Sequence, residues 1–388
     1  MHIARRCERI APFHVMALLE RAQQLEAQGR DLVHLEVGEP DFPAPAPVMA
    51  AARAALEAGA TRYTPATGLP ALREAIAGHY RDFFGVTVVP EQVLVTPGAS
   101  GALQLALALC VDPGDEVLVT DPGYPCNRHF VELVNGRPRS LALDPAAGLR
   151  VTASALEQAW GAGTVAAVLA SPDNPTGNVL APDEVAGLAD TVNGRGGTLI
   201  MDEIYQGLNH EQRPHSVLAH TDQALVINSF SKFFGMTGWR LGWLIVPEAL
   251  TEPLTRMAQN FFLAPSTPAQ HAALAAFEPD TLAELEQRRQ DLDQRRRLLL
   301  ERLPATGLKV VGEPEGAFYI YLDASAVSDD AFGFCQRLLE EEGVALTPGL
   351  DFGAAHEPGR YLRIAYTVPC DRLEEALMRI RRFVESSA

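Results

Sequence analysis

The chain has only two lysines, Lys232 and Lys309, among its 32 lysine and arginine residues. Arginine keeps its proton and cannot form an imine, whereas a partly buried lysine can lose its proton and attack a carbonyl group. A codon bias towards arginine explains the composition equally well. The count nevertheless singles out Lys232, which follows a predicted buried strand, as a side chain that chemistry could require.

Several polar side chains follow short apolar runs of the kind that form buried strands. In an open parallel sheet, ligands bind beyond the carboxyl ends of the strands, so these side chains would gather at one edge. Each also has an ordinary structural explanation, because strand-end aspartates often cap helices and asparagines in turns often bond their own backbone. Together they supply an aromatic face, an amide, an acid and a phenol, on Tyr124, Asn174, Asp202 and Tyr205.

A turn of small residues at positions 96–101 lies between a predicted strand and a predicted helix. Free backbone N–H groups and the positive end of the helix dipole suit a phosphate group, although a plain tight turn fits the sequence equally well. Hydroxyl groups and a guanidinium follow at Ser229, Ser231 and Arg240. With Lys232 and Asp202 they complete the set that a pyridoxal phosphate enzyme requires: a lysine for the imine and an acid against the pyridine nitrogen.

The middle of the chain alternates short apolar runs with helical stretches. The runs lack period-2 alternation, which is typical of strands covered on both faces. Helical stretches such as 101–110 and 183–192 separate them, so the pattern predicts an α/β domain of βαβ units with a mostly parallel central sheet. The predicted strands are 93–95, 117–119, 165–170, 198–201, 225–227 and 241–246.

Helices are also predicted outside this region. Apolar residues from Glu8 to about Gly29 recur near helical spacing and predict an N-terminal helical arm. Residues 282–302 are rich in leucine, arginine and acidic residues and predict a connecting helix on the surface.

The last hundred or so residues indicate a smaller α+β domain. Its predicted strands are 317–322 and 361–365, and its predicted helices are 330–342 and 372–384. We therefore expect an arm with part of the small domain over 1–47, a large domain over 48–277 and a C-terminal small domain over 278–388.

Composition argues against several classes of partner. The formal net charge is −17 and no basic block is present, which disfavours nucleic acid. The longest apolar runs are about six residues, too short to cross a membrane, and the arginine-rich start lacks the apolar core of a signal peptide. Five scattered cysteines without a C-x-x-C pair fit a reducing compartment. These features predict a cytoplasmic protein without a membrane or nucleic-acid partner.

Two motif matches fail on their context. Residues 161–166 fit G-x-G-x-x-A, but they precede a predicted strand, whereas a dinucleotide-binding loop follows one. His210 and Glu211 have the wrong spacing to His215 for a zinc-binding helix, and Pro214 would break that helix. The sequence therefore predicts no metal site.

The motifs that join the candidate residues resemble those of the class I/II aminotransferases of fold type I, the aspartate aminotransferase superfamily. The resemblance extends from the arm to Arg363 and beyond, so it covers nearly the whole chain. It implies transfer of the amino group of an L-amino acid to a 2-oxo acid in two half-reactions, with pyridoxal phosphate as cofactor. The strings that carry it are Ser229-Phe230-Ser231-Lys232 with Gly238-Trp239-Arg240-Leu241-Gly242, Asn174-Pro175-Thr176-Gly177, Asp202-Glu203-Ile204-Tyr205, and Tyr63-Thr64-Pro65 followed by Gly68.

The resemblance also implies a role for each residue at the ring of the cofactor. Lys232 would bind the cofactor as an internal aldimine and then move the proton between the substrate Cα and the cofactor. Asp202 would keep the pyridine nitrogen protonated. Tyr124 would stack on the ring, and Tyr205 and Asn174 would donate hydrogen bonds to the phenolate oxygen.

The implied phosphate and substrate sites use other parts of the chain. Arg363 matches the family's fork for the substrate α-carboxylate, a task that suits a planar guanidinium, and Gly38 and Asn174 lie in motifs that meet the substrate. Tyr63 would reach the phosphate from a second subunit, which predicts a homodimer with shared active sites. The remaining phosphate ligands would be Ala99, Ser100, Ser229, Ser231 and Arg240.

One position departs from the aspartate-preferring members of this branch. Some of these members carry a lysine directly after the Gly-Ala of the phosphate loop, where it meets the side-chain carboxylate of the substrate; this chain has Ser100 there. Unless an arginine such as Arg62 takes over that role, the sequence favours a neutral amino acid as donor.

Other reactions remain open on the same scaffold. A pyridoxal phosphate C–S β-lyase or a decarboxylase would need the same fold and cofactor, because these do not fix which bond at Cα breaks. A non-enzymatic ligand sensor is a further alternative, but only about 35 residues precede the glycine loop, too few for a winged-helix DNA-binding domain.

Overall fold

The computed structural model describes residues 2–387. A short strand, β1 (Val33–His34), precedes a central sheet of seven strands. Their order across the sheet is 2-8-7-6-5-3-4 in the numbering below, and the strand numbered 8 runs antiparallel to both neighbours, while the other pairs are parallel. The seven strands are β2 (Val93–Thr96), β3 (Glu116–Asp121), β4 (Arg137–Ala142), β5 (Thr164–Ala170), β6 (Thr198–Asp202), β7 (Leu225–Ser229) and β8 (Gly242–Ile245).

Helices cover this sheet on both faces. Leu118 of β3 packs into one apolar cluster, while its neighbours Val117 and Val119 pack into the other. Because both faces are buried, the strand sequences show apolar runs instead of alternation. The helices up to this part of the chain are α1 (His14–Ala27), α2 (Ala46–Glu57), α3 (Pro70–His79), α4 (Gly98–Cys110), α5 (Cys126–Leu133), α6 (Ala153–Ala159), α7 (Pro182–Gly194), α8 (Thr251–Phe261) and α9 (Thr267–Leu274).

The C-terminal part contains two smaller sheets. The strands are β9 (Lys309–Val311), β10 (Tyr319–Asp323), β11 (Val344–Ala345), β12 (Thr347–Pro348) and β13 (Tyr361–Ala365), and the helices are α10 (Pro279–Arg302), α11 (Ala331–Glu342) and α12 (Cys370–Ser387). The first sheet has four antiparallel strands in the order β12-β13-β10-β9. The second sheet pairs β1 with β11 in parallel, which joins an N-terminal segment to the C-terminal part.

The α/β class and the six central strands predicted from the apolar runs are confirmed. The edge strand β4 was not predicted, because its solvent-facing residues are polar and it contains Pro138. An edge strand tolerates both features, since one side of its backbone does not need to pair.

Two helix predictions need correction. The arm helix begins at His14 rather than at Glu8, because Ala11 precedes Pro12 and a residue before proline disfavours helical backbone. The connector α10 is not confined to the surface. One side of it is buried at Leu292 and Arg295, and the Arg295 guanidinium donates to the carboxylate of Asp41 at 2.8 Å.

Within the described residues, every helix is too short or too polar to cross a membrane.

Candidate active site

A cavity of about 490 Å³ opens where the parallel strands β5, β6 and β7 end. Helix α1 borders it on one side, and β10 and β13 border it on the other. All of the predicted site residues except Tyr63 line this one cavity: Gly38, Ala99, Ser100, Tyr124, Asn174, Asp202, Tyr205, Ser229, Ser231, Lys232, Arg240 and Arg363.

Lys232 follows β7 and is partly buried. Its Nζ donates to the carbonyl oxygen of Gly38 at 2.8 Å and lies 5.9 Å from the centre of the Tyr205 ring. Burial, together with the positive charge of Arg363, lowers the pKa of the Lys232 ammonium to about 8. An amine with this pKa is available as a nucleophile and as a base near neutral pH.

Asp202 is the last residue of β6. One of its carboxylate oxygens accepts from the backbone N–H of Ile204 at 3.1 Å. Burial, together with the negative charge of Asp173, raises the pKa of Asp202 to about 7. A buried carboxylate with a raised pKa is stabilised by any cationic N–H group that enters the cavity beside it.

Two phenols meet beside Lys232. The Oη of Tyr205 and the Oη of Tyr319 are 2.9 Å apart, and both side chains are fully buried. Tyr319 also approaches the glycine loop so closely that a Cβ on Gly38 would lie 1.9 Å from its hydroxyl oxygen. Glycine is therefore required at position 38 for the chain to pass between Tyr319 and Lys232.

The start of α4 meets a guanidinium and two hydroxyl groups. Gly98 has a left-handed backbone with φ of +69°, and a Cβ there would lie 2.7 Å from Nη2 of Arg240. The hydroxyl oxygens of Ser229 and Ser231 are 2.9 Å apart at the end of β7. N–H groups at a helix N-terminus together with a guanidinium and hydroxyl groups are the donors that a phosphate monoester needs.

Arg363 projects from β13 into a buried, aromatic setting. Its guanidinium carbon lies 4.2 Å above the Tyr319 ring and 4.9 Å from the Phe352 ring. Nη1 donates to Oδ1 of Asn174 at 2.8 Å, and Nη2 donates to the carbonyl oxygen of Glu36 at 2.6 Å, while Nε is buried without a partner. These contacts hold the guanidinium plane and leave N–H groups for an incoming carboxylate.

The remaining wall of the cavity is apolar. The arm contributes Phe13, Met16 and Leu19 to it, and α4 and α5 contribute Leu103 and Phe130. Two acids, Glu36 and Glu39, also border the cavity.

Tyr63 and Arg62 do not join the site within a single chain. The Tyr63 side chain is 83% exposed, and neither residue borders the cavity. The predicted contribution of Tyr63 requires a second chain, and it stays a prediction.

Sequence reasoning missed Tyr319, which touches Tyr205, Arg363 and the glycine loop. The signal for it is the pairing of β10 with β13. Tyr321 lies opposite Arg363 and Tyr319 lies opposite Ala365, so the two tyrosines share a face with the arginine. The strands were predicted, but their register cannot be read from either strand alone.

These side chains fit pyridoxal phosphate on the chemistry of their donors. Lys232 supplies a low-pKa amine, Asp202 supplies a buried acid, and the start of α4 with Arg240 supplies an anion cradle. Tyr124, between β3 and α5, supplies an aromatic ring that lines the same cavity.

Comparisons with known proteins agree with this chemistry. The family model described as aminotransferase class I and II matches residues 30–380. The valine–pyruvate aminotransferase of Mycobacterium tuberculosis is 38% identical over 379 residues, covering 97% of each chain. The aspartate/prephenate aminotransferase of Thermus thermophilus is 36% identical over 383 residues, covering 98% of each chain.

Solved structures are similar over the whole chain. The crystal structure of an aminotransferase from Mycobacterium tuberculosis superposes with a TM-score of 0.96 at 38% identity and covers all of both chains. The Thermus thermophilus aspartate aminotransferase with maleate gives a TM-score of 0.92 at 36% identity, with 98% of this chain and 99% of that chain covered.

The chain therefore belongs to the class I and II aminotransferases. It is a pyridoxal phosphate enzyme with the fold type I architecture, and it transfers amino groups between amino acids and 2-oxo acids.

Proposed function

We propose that this enzyme takes the amino group from a neutral L-amino acid and passes it to a 2-oxo acid in a ping-pong sequence, with Lys232 as the catalytic residue. The observation that carries the assignment is a low-pKa lysine in a cavity beside a buried acid, Asp202. When bound, pyridoxal phosphate supplies an aldehyde that condenses with amines and a ring that accepts the electron pair left at Cα.

Lys232 holds the cofactor and later carries a proton. Its neutral amine would hold the cofactor through the aldehyde group, and once released it would serve as the base that carries the proton of the substrate Cα. The pKa of about 8 supports both roles, because the amine is partly neutral at physiological pH. Its carbonyl partner, Gly38, keeps the ammonium form anchored when the lysine is free.

Asp202 would hold a proton at the pyridine nitrogen of the cofactor. Tyr205 and Asn174 would donate hydrogen bonds to its phenolate oxygen, and Tyr124 would supply an aromatic face for the ring. Asn174 uses its oxygen to accept from Arg363, so its amide nitrogen is the group that donates. These groups stabilise the negative charge that develops during proton transfer.

The phosphate and the substrate carboxylate have separate cations. Arg240 binds the phosphate together with the start of α4, Ala99, Ser100, Ser229 and Ser231. Arg363 binds the α-carboxylate, and the backbone of Gly38 assists it. Because Asn174 and the Glu36 carbonyl orient the guanidinium before substrate arrives, little ordering entropy is lost on binding.

The preference for a neutral donor rests on the charges that border the cavity. Among the described residues its cations are Lys232, Arg240 and Arg363, and each already has a partner in the reaction. Of the two acids at the cavity, Glu36 is paired with His34 at 2.7 Å, whereas Glu39 adds negative charge, and the arm side is apolar. Within one chain, a second carboxylate on the substrate would find no cation that is free to bind it.

We further propose an active homodimer in the cytoplasm. The exposed side chain of Tyr63 supports the dimer, because it can contribute to the phosphate site only from a neighbouring chain. The five free cysteines support a reducing compartment. The pairing of β1 with β11 supports domain boundaries near 47/48 and 277/278, with the first 47 residues partly in the small domain.

The test is the visible absorption of the purified protein with pyridoxal phosphate while amino acids are added one at a time. A transaminase loses the aldehyde-form band with its donor, and a 2-oxo acid restores the band. Recovery of the band with release of ammonia would support a lyase instead, and recovery with release of carbon dioxide would support a decarboxylase. A band that no amino acid changes would support a sensor.

A further inference from the structure

Much of the apolar wall of the cavity comes from α1 and the residue before it, near the N-terminus of the chain. Phe13, Met16 and Leu19 lie at or near the start of α1, and each borders the cavity. How closely these side chains approach a substrate depends on how the first turn of α1 is held.

The first turn of α1 is capped by a distant carboxylate. Phe13, the residue that precedes the helix, has a phenyl side chain and offers no hydrogen-bond acceptor. Asp351 accepts instead: Oδ1 receives the backbone N–H of His14 at 2.8 Å, and Oδ2 receives the backbone N–H of Val15 at 2.8 Å. Nδ1 of His14 lies 2.8 Å from the same Oδ1.

This arrangement is strong for a helix cap. Asp351 is only 2% exposed, so its hydrogen bonds do not compete with bulk water. Its negative charge lies at the positive end of the helix dipole, and both carboxylate oxygens are used. Without Asp351, two backbone N–H groups of the first turn would lose their acceptors.

The segment that carries Asp351 is fixed to the rest of the site. The carbonyl oxygen of Asp351 accepts from Nη2 of Arg128 at 2.9 Å. The next residue, Phe352, packs against the Arg363 guanidinium. The backbone N–H groups of Ala354 and Ala355 donate to the carboxylate of Asp121, at the end of β3. One segment therefore contacts the large sheet, the arginine of the carboxylate site and the arm.

We propose that Asp351 is a positioning residue that holds the apolar face of α1 over the substrate cavity. It thereby sets how much kcat/KM increases when the amino acid carries a longer apolar side chain. The proposal rests on the proposed function for its kinetic readout. It concerns the distance between α1 and the substrate side chain, and Asp351 itself does not touch the reacting atoms.

The experiment uses a series of straight-chain donors that differ by one methylene each: alanine, 2-aminobutyrate, norvaline and norleucine. Burying each added methylene against the α1 wall should raise kcat/KM of the unaltered enzyme by about fourfold. In Asp351→Asn one backbone N–H of the first turn of α1 would face an NH2 group instead of an acceptor. The first turn of α1 should therefore be held less firmly over the cavity. We expect the slope of log kcat/KM against chain length to fall to less than about half, with kcat for alanine changed less than about threefold.

Asp330→Asn is the control for loss of a helix cap elsewhere in the molecule. Asp330 caps the first turn of α11 through the N–H of Gly333 at 3.0 Å, but it does not border the cavity. Because Asp330 is exposed and accepts only one backbone N–H, Asp330→Asn should cost less stability than Asp351→Asn, and it should keep the slope of the unaltered enzyme. A uniform loss across the series in Asp351→Asn, parallel to the unaltered enzyme, would overturn the proposal, because a purely structural cap does not distinguish substrate lengths.

A second measurement does not depend on turnover. Amide hydrogen exchange of the peptide that contains His14 and Val15 should accelerate in Asp351→Asn and stay unchanged in Asp330→Asn. If Asp351→Asn does not fold, His14→Ala keeps both backbone N–H bonds to Asp351 and removes the contacts of the His14 ring with Asp351 and Phe332, so it should flatten the slope in the same direction by a smaller amount. Unchanged exchange in Asp351→Asn, or an unchanged slope in a folded His14→Ala, counts against the proposal.

Failure of this proposal differs from failure of the proposed function. If the unaltered enzyme transaminates no member of the series and no other neutral amino acid changes the cofactor band, the assignment of a neutral donor fails. The exchange measurement would still report whether Asp351 holds α1.

Discussion

The two sides of the cavity are built in different ways. On the cofactor side, Asp202 and Lys232 stand at or just after the ends of neighbouring parallel strands, so sheet topology alone brings them together. On the substrate side, Arg363, Tyr319 and the start of α1 meet through contacts between distant parts of the chain. The carboxyl ends of parallel strands meet at one edge of the sheet, so the side chains that follow them lie close together. The substrate side depends instead on contacts between separate parts of the chain.

Replacing Lys232 should have the largest effect, because it removes the catalytic group of the cofactor side. Lys232→Arg keeps a positive charge but cannot form an imine or carry the proton, so kcat should fall by at least about 10⁴-fold. Steady-state and single-turnover kinetics measure this. The same change at the other lysine, Lys309→Arg, is the control and should leave kcat unchanged; a Lys232→Arg enzyme within tenfold of the original would refute the role.

Replacing Arg363 should break the substrate side. Arg363→Lys loses the planar fork and its charge-assisted hydrogen bonds, so kcat/KM should fall about 100-fold, mainly through KM, while the cofactor absorbance stays. Titrations with the donor measure KM. Arg295→Lys changes another buried arginine, which pairs with Asp41 away from the cavity, and it should lower stability without raising KM.

The contrast between these two sides also marks what the sequence could predict. Asp202 and Lys232 could be found because strand ends are local features of the sequence. Tyr319 could not, since its place beside Arg363 depends on the register between β10 and β13. Asp351 could not either, because nothing near it in sequence indicates that its partner is a helix start 336 positions away.

In the fold, too, the features that depend on local sequence were predicted and those that depend on distant contacts were not. The buried central strands were predicted because apolar runs identify them directly. The edge strand β4 and the true start of α1 were not, because a polar strand with Pro138 resembles a loop and the helix start depends on Asp351 as well as on Pro12.

The pH dependence of cofactor loading links the two sides. Burial and the charge of Arg363 lower the pKa of Lys232 to about 8, and only the neutral amine attacks the aldehyde. Loading of the cofactor-free protein should therefore speed up as pH rises, reach half its plateau near pH 8, and slow about tenfold per unit below that.

Stopped-flow absorbance at fixed ionic strength measures this rate. Arg363→Gln removes a positive charge near Lys232, which makes the ammonium form of Lys232 less unfavourable. The pKa of Lys232, and with it the midpoint of the loading rate, should therefore move to higher pH. A midpoint near the ordinary lysine value of 10.5 in the unaltered protein would show that the amine is not desolvated.

The smallest expected effect concerns the donor. Ser100→Lys adds a cation at the border of the cavity, where a side-chain carboxylate finds none among the described residues. The ratio of kcat/KM for aspartate to that for a neutral donor should rise about tenfold. Ser100→Ala removes the hydroxyl without adding charge and should leave the ratio unchanged; an unaltered enzyme that already prefers aspartate would refute the neutral preference.

The most direct test of the central claim uses the two lysines of the chain. The protein loaded with pyridoxal phosphate is reduced with borohydride, digested and mapped by mass spectrometry. The account predicts that the phosphopyridoxyl group is found on the peptide that contains Lys232. Recovery of the group on Lys309, which lies on β9 outside the active-site cavity, would contradict it.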